Sequence, residues 1–345
     1  MRTPHETETL LRRLELSVTR RLDGLLLGAH LGLLPGLGSE KAESREYRAG
    51  DDVRRMDWAV TARTTVPHVH DLIADRELET WVLADLSASM EFGTATGEKR
   101  DLVLAATAAV GFLTARPGNR IGALLLAGGG RAGGTGGTGG TGGTGGTGGT
   151  GGTVVHVPAR PGRDAVRTLL RHIAATPRAA VDAPATGRSP GPPLEHPLPA
   201  SLAGAVTLAT GLDQLRRPPR RRGLVAVVSD FLGTPPEEWE RPLRALSGRH
   251  EVLAIEVLDP RELELPDVGL LRLVDPETGR LLDVATRSRK LRSRYAAAAA
   301  EQRSVIAATL RRAHAHHLQL RTDRDWLLDV VRYAAEERRR RGVGG

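Results

Sequence analysis

The sequence predicts an α/β fold in which helices cover both faces of a mostly parallel sheet, the arrangement called doubly wound. From about residue 80 to residue 340, short apolar segments that fit buried strands alternate with amphipathic helical segments. The length of 345 residues is enough for one large domain with insertions or for two domains. An N-terminal helix and a segment rich in loops and short strands precede the alternating region.

Residues 1–35 are expected to form an amphipathic helix and its end. Thr3 and Glu6 have the spacing of a capping box, and Pro4 takes the first helical position. Apolar residues then recur at helical spacing, at Leu10, Leu14, Val18, Leu22 and Leu25. Such a helix needs an apolar partner surface, most simply the body of the same protein.

Residues 36–80 are dense in charged and turn-forming residues. Gly50, Asp51 and Asp52 predict a tight turn between two short extended pieces. The residues grouped around this turn are Arg45, Tyr47, Arg54, Asp57, Trp58 and Arg63. We expect an Arg/Asp network that holds the segment against the core, with a buried Trp58 as its apolar anchor. A catalytic role for Asp51, Asp52 or Asp57 is the alternative, and no nucleophile lies near them in sequence.

The elements of the alternating region, residues 81–345, follow in order. The expected strands are 81–84, 121–127, 154–157, 224–228, 252–257 and 318–321, with a hairpin formed by 270–274 and 281–284. Helices are expected at 102–113, 162–176, 287–315 and 326–340. Two more lie between the second and third of these: one is capped by Ser201 and carries Val206, Ala209 and Leu215, and the other begins with a capping box at Thr234–Glu237.

Two stretches interrupt this alternation. Seven Gly-Gly-Thr repeats fill residues 133–153 and predict a flexible, solvated extension of a hairpin. They do not form a phosphate-binding loop, because that motif needs a Lys that is missing here. Residues 177–200 are rich in Pro, Ala and Gly and predict a loop within the same domain.

The segment WVLADLSASM, residues 81–90, carries the strongest chemical signal of the chain. Its apolar half predicts a strand buried on both faces, and Asp85, Ser87 and Ser89 then follow on a single turn. One carboxylate and two hydroxyls form an oxygen donor set of the kind that Mg2+ prefers. The alternative is an ordinary strand-to-helix turn in which these residues only cap the backbone.

A second apolar strand, 224–228, is also followed by polar residues, Ser229 and Asp230. Ligands of open parallel sheets bind at the carboxyl ends of the strands, where the strand order reverses. If the two strands are neighbours, the carboxylates of Asp85 and Asp230 converge on one crevice.

These residues carry a resemblance to two known families. D-x-S-x-S followed by a helix, with a later strand that ends in Ser-Asp, resembles the von Willebrand factor A domain and its metal-ion-dependent adhesion site. REYRAGDDVRRMDWAVTAR, residues 45–63, closely resembles the bacterial DUF58 family, and so do residues 259–284. The resemblance covers the chain from about Gly36.

The resemblance implies a sheet of von Willebrand factor A type and a site for Mg2+ or Mn2+. Ser87 and Ser89 would bind the ion directly, and Asp85 and Asp230 directly or through water, while Ser201 stands where the family has a threonine. The resemblance also implies a non-catalytic adaptor that works with a MoxR-type AAA+ ATPase in the maturation or assembly of a client protein.

Composition and local patterns bear on three other functions. The first is a Mg2+-dependent hydrolase or phosphotransferase that uses Asp85. Phosphotransfer through an aspartate would use a nearby lysine, for which Lys99 is the candidate. The net charge of +8 invites nucleic-acid binding, but only three of the 49 basic residues are lysine and aromatic residues make up 3%. A zinc site is suggested by His314, His316 and His317, but no motif that would supply a third ligand accompanies them.

The sequence also predicts a compartment. It has no cysteine and no uninterrupted apolar stretch near the length of a membrane span. Residues 1–30 carry Arg and Glu throughout instead of the apolar centre of a signal peptide. We therefore expect a soluble, cytoplasmic protein.

Overall fold

We describe the chain from a computed structural model. The structure describes residues 4–26, 44–47, 56–70, 78–95, 97–115, 118–128, 152–178, 206–219, 221–274 and 281–342. Within these ranges it shows a mixed α/β fold with a mostly parallel central sheet and helices on both faces. The predicted fold class is confirmed at this level.

The bounds of the elements follow the predicted alternation closely. The strands in the described residues are β1 (Ser44–Glu46), β2 (His68–His70), β3 (Glu79–Leu86), β4 (Arg120–Ala127), β5 (Thr153–Pro161), β6 (Gly223–Ser229), β7 (Glu251–Leu258), β8 (Leu270–Val274), β9 (Leu281–Ala285) and β10 (His316–Arg321). The helices are α1 (Pro4–Leu26), α2 (Trp58–Thr64), α3 (Lys99–Thr114), α4 (Arg163–Ala175), α5 (Leu208–Leu215), α6 (Pro236–Ser247), α7 (Pro260–Leu263), α8 (Arg289–Arg312) and α9 (Trp326–Gly342).

The central sheet, over the described residues, has six strands in the order β10-β7-β6-β3-β4-β5. All neighbours are parallel except β5, which runs antiparallel to β4. From β3 the chain first extends the sheet to one side through β4 and β5, and then to the other side through β6, β7 and β10. The strand order therefore reverses between β3 and β6, the position where sheets of this kind bind ligands.

Strand β3 shows why the strand sequences are continuously apolar. Val82 and Ala84 pack on the face of the sheet that α1, α3, α4 and α9 cover. Trp81 and Leu83 pack on the opposite face, under α5, α6 and α8. Because successive side chains of a strand point to opposite faces, burial of both faces requires an uninterrupted apolar run.

Helix α1 docks on the body of the same chain, as the sequence predicts. Leu11, Leu14 and Val18 are buried in the core that α3 and α4 line. A salt bridge of 2.9 Å joins Glu15 to Arg167 of α4. The predicted capping box includes Thr3, which lies outside the described residues.

The segment 36–80 differs from its prediction in two respects. Its extended piece β1 pairs antiparallel with β2, and a short helix that the sequence analysis missed, α2, lies before β2. Trp58, at the start of α2, is 69% exposed, so the prediction of a buried anchor is wrong. The buried residue is its neighbour Asp57, whose Oδ1 accepts the N–H of Val60 and turns the chain into the helix. Helix α2 then leaves Trp58 on its outer side.

The predicted capping box at Thr234 is also wrong. Helix α6 begins at Pro236, and its N-cap residue, Pro235, makes no side-chain cap bond. Thr234 Oγ1 instead accepts the backbone N–H of Leu208 at 3.3 Å. Thr234 therefore joins the starts of α5 and α6, a contact between distant segments that local spacing does not reveal.

The remaining predictions concern the connections. β4 and β5 flank the Gly-Gly-Thr tract and pair antiparallel, as the predicted hairpin requires, and β8 pairs antiparallel with β9. Residues 133–151, 179–200 and 275–280 lie outside the described residues. No helix among the described residues combines the length and apolarity needed to cross a membrane.

Candidate metal centre at the carboxyl edge of the sheet

Asp85 and Asp230 lie at the adjacent carboxyl ends of β3 and β6. The register places Ala84 beside Val228, so Asp85 lies beside Ser229. Asp230 is the residue that follows Ser229 in the chain. Ser229 Oγ donates a hydrogen bond of 2.6 Å to Asp85 Oδ2. The predicted convergence of the two strand ends on one crevice agrees with this geometry.

The turn after β3 holds the two predicted hydroxyls side by side. The backbone N–H of Ser87 donates to Asp85 Oδ1 at 3.0 Å, which closes the turn. Ser87 then precedes a short 3₁₀ helix, Ala88–Glu91, but its side chain makes no cap hydrogen bond to that helix. Ser87 Oγ lies 3.2 Å from Ser89 Oγ instead. The capping alternative therefore holds for the Asp85 side chain, which accepts the Ser87 N–H, and is wrong for the Ser87 side chain.

Asp230 is 1% exposed and is held from several sides. Its Oδ1 accepts the N–H of Leu232 at 3.0 Å, and its Oδ2 accepts Lys99 Nζ at 2.8 Å. The Ser89 hydroxyl also hydrogen-bonds its carboxylate. The next residue, Phe231, has a φ of 58°, a strained value for an aromatic residue. The turn is held by the Phe231 N–H, which donates to Ser229 Oγ at 3.1 Å, and by the Leu232 N–H on Asp230.

The carboxylates of Asp85 and Asp230 have opposite pKa shifts. Burial and the negative charge of Asp230 raise the pKa of Asp85 above its usual value. Burial also acts to raise the pKa of Asp230, but the Lys99 ammonium outweighs it and the pKa of Asp230 is lowered. Asp230 is thus the carboxylate that is held ionised.

The two serine hydroxyls form a hydrogen bond whose length is also compatible with a shared divalent cation. Two neighbouring oxygen ligands of an octahedral Mg2+ ion, each about 2.1 Å from the metal, lie about 3.0 Å apart. The 3.2 Å between the Ser87 and Ser89 hydroxyls is close to that separation. The described residues contain no cluster of three or more His, Asp or Glu side chains arranged to hold a metal. Hydroxyl ligands would therefore have to complete this site.

Ser201, the remaining predicted ligand, lies outside the described residues. The prediction that it caps the following helix is wrong, because α5 begins at Leu208 and its N-cap is Thr207. The Thr207 side chain accepts the N–H of Thr210 at 3.2 Å. A Cβ on Gly152 would lie 2.8 Å from the Ala127 carbonyl oxygen and 3.1 Å from Val206 N. The start of α5 therefore lies beside the carboxyl end of β4, the strand next to β3.

Three further residues belong to the site: Ser229, Lys99 and Glu262. Sequence reasoning named Ser229 only as part of a strand end and Lys99 only as the candidate lysine of an enzyme, and it missed Glu262. The Ser229 hydroxyl bonds Asp85, and Lys99 Nζ bonds both Asp230 and Glu262 Oε1, the latter at 2.5 Å. Burial acts to lower the pKa of Lys99, but the charges of Asp230 and Glu262 outweigh it and raise that pKa. Ser229 was discoverable from its position in the Ser-Asp strand end. Lys99 and Glu262 required the three-dimensional fold.

The residues of the predicted signature around Gly50 are described only in part. Tyr47 N donates to the Pro67 carbonyl at 2.8 Å, and Arg45 pairs with Val69 in the small sheet. Arg63 belongs to the last turn of α2. The signature residues that lie outside the described residues are Gly50, Asp51, Asp52 and Arg54.

The three histidines considered for zinc belong to separate contacts. His316 Nε2 lies 3.8 Å from Glu251 Oε1, and His317 Nε2 lies 2.9 Å from Glu256 Oε2. His314 follows α8 with a φ of 56°. Among the described residues these histidines belong to no group of three or more possible metal ligands, so the zinc hypothesis gains no support from the geometry.

Comparison with known proteins gives a family match over most of the chain. The family described as "Protein of unknown function DUF58" matches residues 43–132 and 140–305. An uncharacterized protein of Mycobacterium tuberculosis is 50% identical over 329 residues, which cover 95% of this chain and 89% of that protein. An uncharacterized protein of Mycobacterium avium is 48% identical over 186 residues, covering 54% of this chain and 96% of that protein.

Two solved structures resemble the fold remotely. The conserved hypothetical protein BatB from Bacteroides thetaiotaomicron has a TM-score of 0.39 and 9% identity, and the match covers 76% of this chain and 99% of that chain. An aerotolerance-related membrane protein from Bacteroides fragilis has a TM-score of 0.39 and 8% identity, covering 75% and 99% respectively.

Proposed function

The chain belongs to the DUF58 family, and we propose that it is a non-catalytic adaptor that binds other proteins through a divalent metal ion. In this proposal the sheet is of von Willebrand factor A type, and the crevice between β3 and β6 is its metal-dependent adhesion site. The observation that carries the proposal is the pair of hydroxyls, Ser87 and Ser89, 3.2 Å apart beside two buried carboxylates.

Each residue of the crevice has a role in this proposal. Ser87 and Ser89 would bind Mg2+ or Mn2+ through their hydroxyl oxygens, and Asp85 and Asp230 would bind it directly or through water. Thr207, which takes the cap position that the sequence assigned to Ser201, is a further hydroxyl candidate. Such an ion keeps a coordination position for a carboxylate of the partner, because few anionic ligands surround it.

The non-catalytic character of the proposal rests on the position of Lys99. A phosphotransfer through Asp85 would need an ammonium group directed at the incoming phosphoryl group. Lys99 is fully buried, and its Nζ hydrogen-bonds Asp230 and Glu262. This arrangement favours a structural role for the lysine over a catalytic one.

We propose a MoxR-type AAA+ ATPase and a client protein as the partners, in the cytoplasm, with maturation or assembly of the client as the outcome. An acidic side chain of the partner would complete the coordination of the ion. Nucleic acid is the less favoured partner, because the candidate site is built around the carboxylates of Asp85 and Asp230 and aromatic residues make up only 3% of the chain.

The test is binding of the purified ATPase from the same genome, measured with Mg2+ and with a chelator. We expect binding by the unaltered chain that the chelator abolishes, and none by the double variant Ser87→Ala/Ser89→Ala. The matched control is Ser293→Ala/Ser304→Ala, which changes two exposed serines of α8. Equal binding by both double variants would contradict a role for the crevice.

A further inference from the structure

Lys99 is a buried cation in the floor of the metal crevice. It is the first residue of α3 and is 0% exposed. A cation at the N-terminus of a helix is opposed by the helix dipole, and a buried ammonium is costly unless it is paired. Neither helix propensity nor the apolar core therefore accounts for a lysine at this position.

Two carboxylates from different segments pair with this ammonium. Lys99 Nζ lies 2.8 Å from Asp230 Oδ2 at the end of β6, and 2.5 Å from Glu262 Oε1 in α7. The other oxygen of Glu262 accepts the N–H of Asp259 at 3.0 Å. The lysine therefore joins the start of α3 to the chain beyond β6 and β7, on the side of the sheet where the candidate ligands lie.

The pairing affects the charge that a metal ion would meet. Without Lys99, the site would hold the carboxylates of Asp85, Asp230 and Glu262 and, among the described residues, one cation, the Arg303 guanidinium. Its Nη2 lies 3.8 Å from Glu262 Oε2, and its Nη1 donates to the Asp230 backbone carbonyl at 3.0 Å. With Lys99, the ammonium already neutralises Asp230, one of the two carboxylates that would hold the ion. A divalent cation near Asp230 is therefore repelled by the ammonium and must share its carboxylate.

We propose that the Lys99 ammonium, held between Asp230 and Glu262, is a built-in counter-cation that lets the crevice fold without metal and keeps its affinity for a divalent ion low until an acidic partner adds a ligand. This inference rests on the proposed function, since it assumes that the ion binds beside Asp85. It adds that metal and partner bind cooperatively, because the partner's carboxylate supplies the negative charge that Lys99 offsets.

The experiment is calorimetric titration of MgCl2 and MnCl2 into the unaltered chain and into Lys99→Met, with NaCl at matched ionic strength. We expect Lys99→Met to bind the divalent ions about tenfold more tightly or better, because a unit positive charge close to the ion is removed. We also expect Lys99→Met to have a lower melting temperature without metal, and divalent ions to restore it.

A second variant keeps the test decisive if Lys99→Met does not fold. Lys99→Met/Glu262→Gln removes the cation and one of its two partners together, which avoids leaving both carboxylates unpaired. It is expected to fold and to bind Mg2+ more tightly than the unaltered chain. Glu262→Gln alone is the matched control, since it retains Lys99 and leaves Asp230 as the partner of the ammonium, and it should bind Mg2+ no more tightly than the unaltered chain.

The outcomes separate this inference from the proposed function. Tighter binding by the lysine variants than by the unaltered chain supports the inference. If the unaltered chain binds no ion even with an acidic partner, the metal-dependent function fails, and the cooperative binding of metal and partner fails with it. Equal or weaker binding by the lysine variants, with saturable binding by the unaltered chain, overturns the inference and leaves the function. Absence of binding by all variants overturns both.

Discussion

Asp259 is predicted to be a major stabilising residue of the edge of the sheet that carries the site. It is fully buried and follows the end of β7. Its two carboxylate oxygens accept the N–H of Thr94 at 2.8 Å, the hydroxyl of Thr94 at 2.5 Å, the N–H of Arg261 at 2.9 Å and the hydroxyl of Thr322 at 2.7 Å. One side chain thus joins the loop after β3, the start of α7 and the end of β10.

The magnitude follows from the four donors that Asp259→Ala leaves without their acceptor. The hydroxyl of Thr322 is a buried donor, and leaving it unsatisfied costs about 1–3 kcal/mol. Thr94 and Arg261 are exposed, so water can replace the acceptor for their donors and each loss costs about 0.5–1.5 kcal/mol. The terms are not additive because the donors share one acceptor group, so we expect a total of roughly 2–4 kcal/mol. An unfolding entropy of about 2 cal/mol/K per residue means that, for 345 residues, each kcal/mol lowers the melting temperature by about 1.5 °C, which gives a decrease of roughly 5 °C. Asp259→Asn, which keeps one acceptor oxygen, should lose less.

The contribution of Asp259 depends on pH in a defined direction. Burial acts to raise the pKa of Asp259, but the hydrogen bonds from Thr94, Arg261 and Thr322 outweigh it and hold that pKa below its usual value. The stabilisation is therefore complete above the unfolded pKa of about 3.9 and is lost as the pH falls through the lower folded pKa. The difference in stability between the unaltered chain and Asp259→Asn should shrink over that acid range.

The assay is thermal unfolding by circular dichroism at neutral pH and across the acid range. The matched control is Asp213→Ala, which removes an exposed carboxylate whose partner is Arg216 of a surface ion pair, and it should leave the melting temperature nearly unchanged. A decrease of less than about 2 °C for Asp259→Ala would refute the argument that its hydrogen bonds hold these segments together.

Three further predictions follow from burial. Trp239 is fully buried and its indole N–H donates to the Thr234 carbonyl, so Trp239→Ala should lower the free energy of unfolding in denaturant by about 3–5 kcal/mol. Trp58 is 69% exposed, so Trp58→Ala should change that free energy little. A loss of stability for Trp58→Ala comparable to that of Trp239→Ala would contradict the description of α2. Val18→Asp puts a charge on the buried side of α1, where Val18 is 1% exposed. It should make α1 accessible to limited proteolysis, and unchanged resistance would show that α1 does not depend on this contact.

The strands and the convergence of the two aspartates were predictable because they follow from short-range patterns. Continuous apolar runs such as 81–84 predict strands that are buried on both faces, and the polar residues that end them predict the crevice. The antiparallel direction of β5 also follows from its position across the Gly-Gly-Thr tract. In each case the chemistry of a few consecutive residues determines the outcome.

The incorrect predictions have causes at longer range. Thr234 has the spacing of a capping box, but its hydroxyl meets Leu208, 26 positions earlier in the chain. Trp58 was expected inside because it is large and apolar, whereas the short helix α2 buries Asp57 and leaves the indole outside. The partners of Lys99 are 131 and 163 positions away in sequence, so no local pattern could reveal them.

Divalent-ion binding by the purified chain, compared with an Asp85→Ala variant by titration calorimetry, tests the central claim most directly. The account predicts saturable, weak binding of Mg2+ and Mn2+ that Asp85→Ala abolishes and that an acidic partner strengthens. Binding that persists unchanged in Asp85→Ala, or no binding even with the acidic partner present, would contradict a metal site at the junction of β3 and β6.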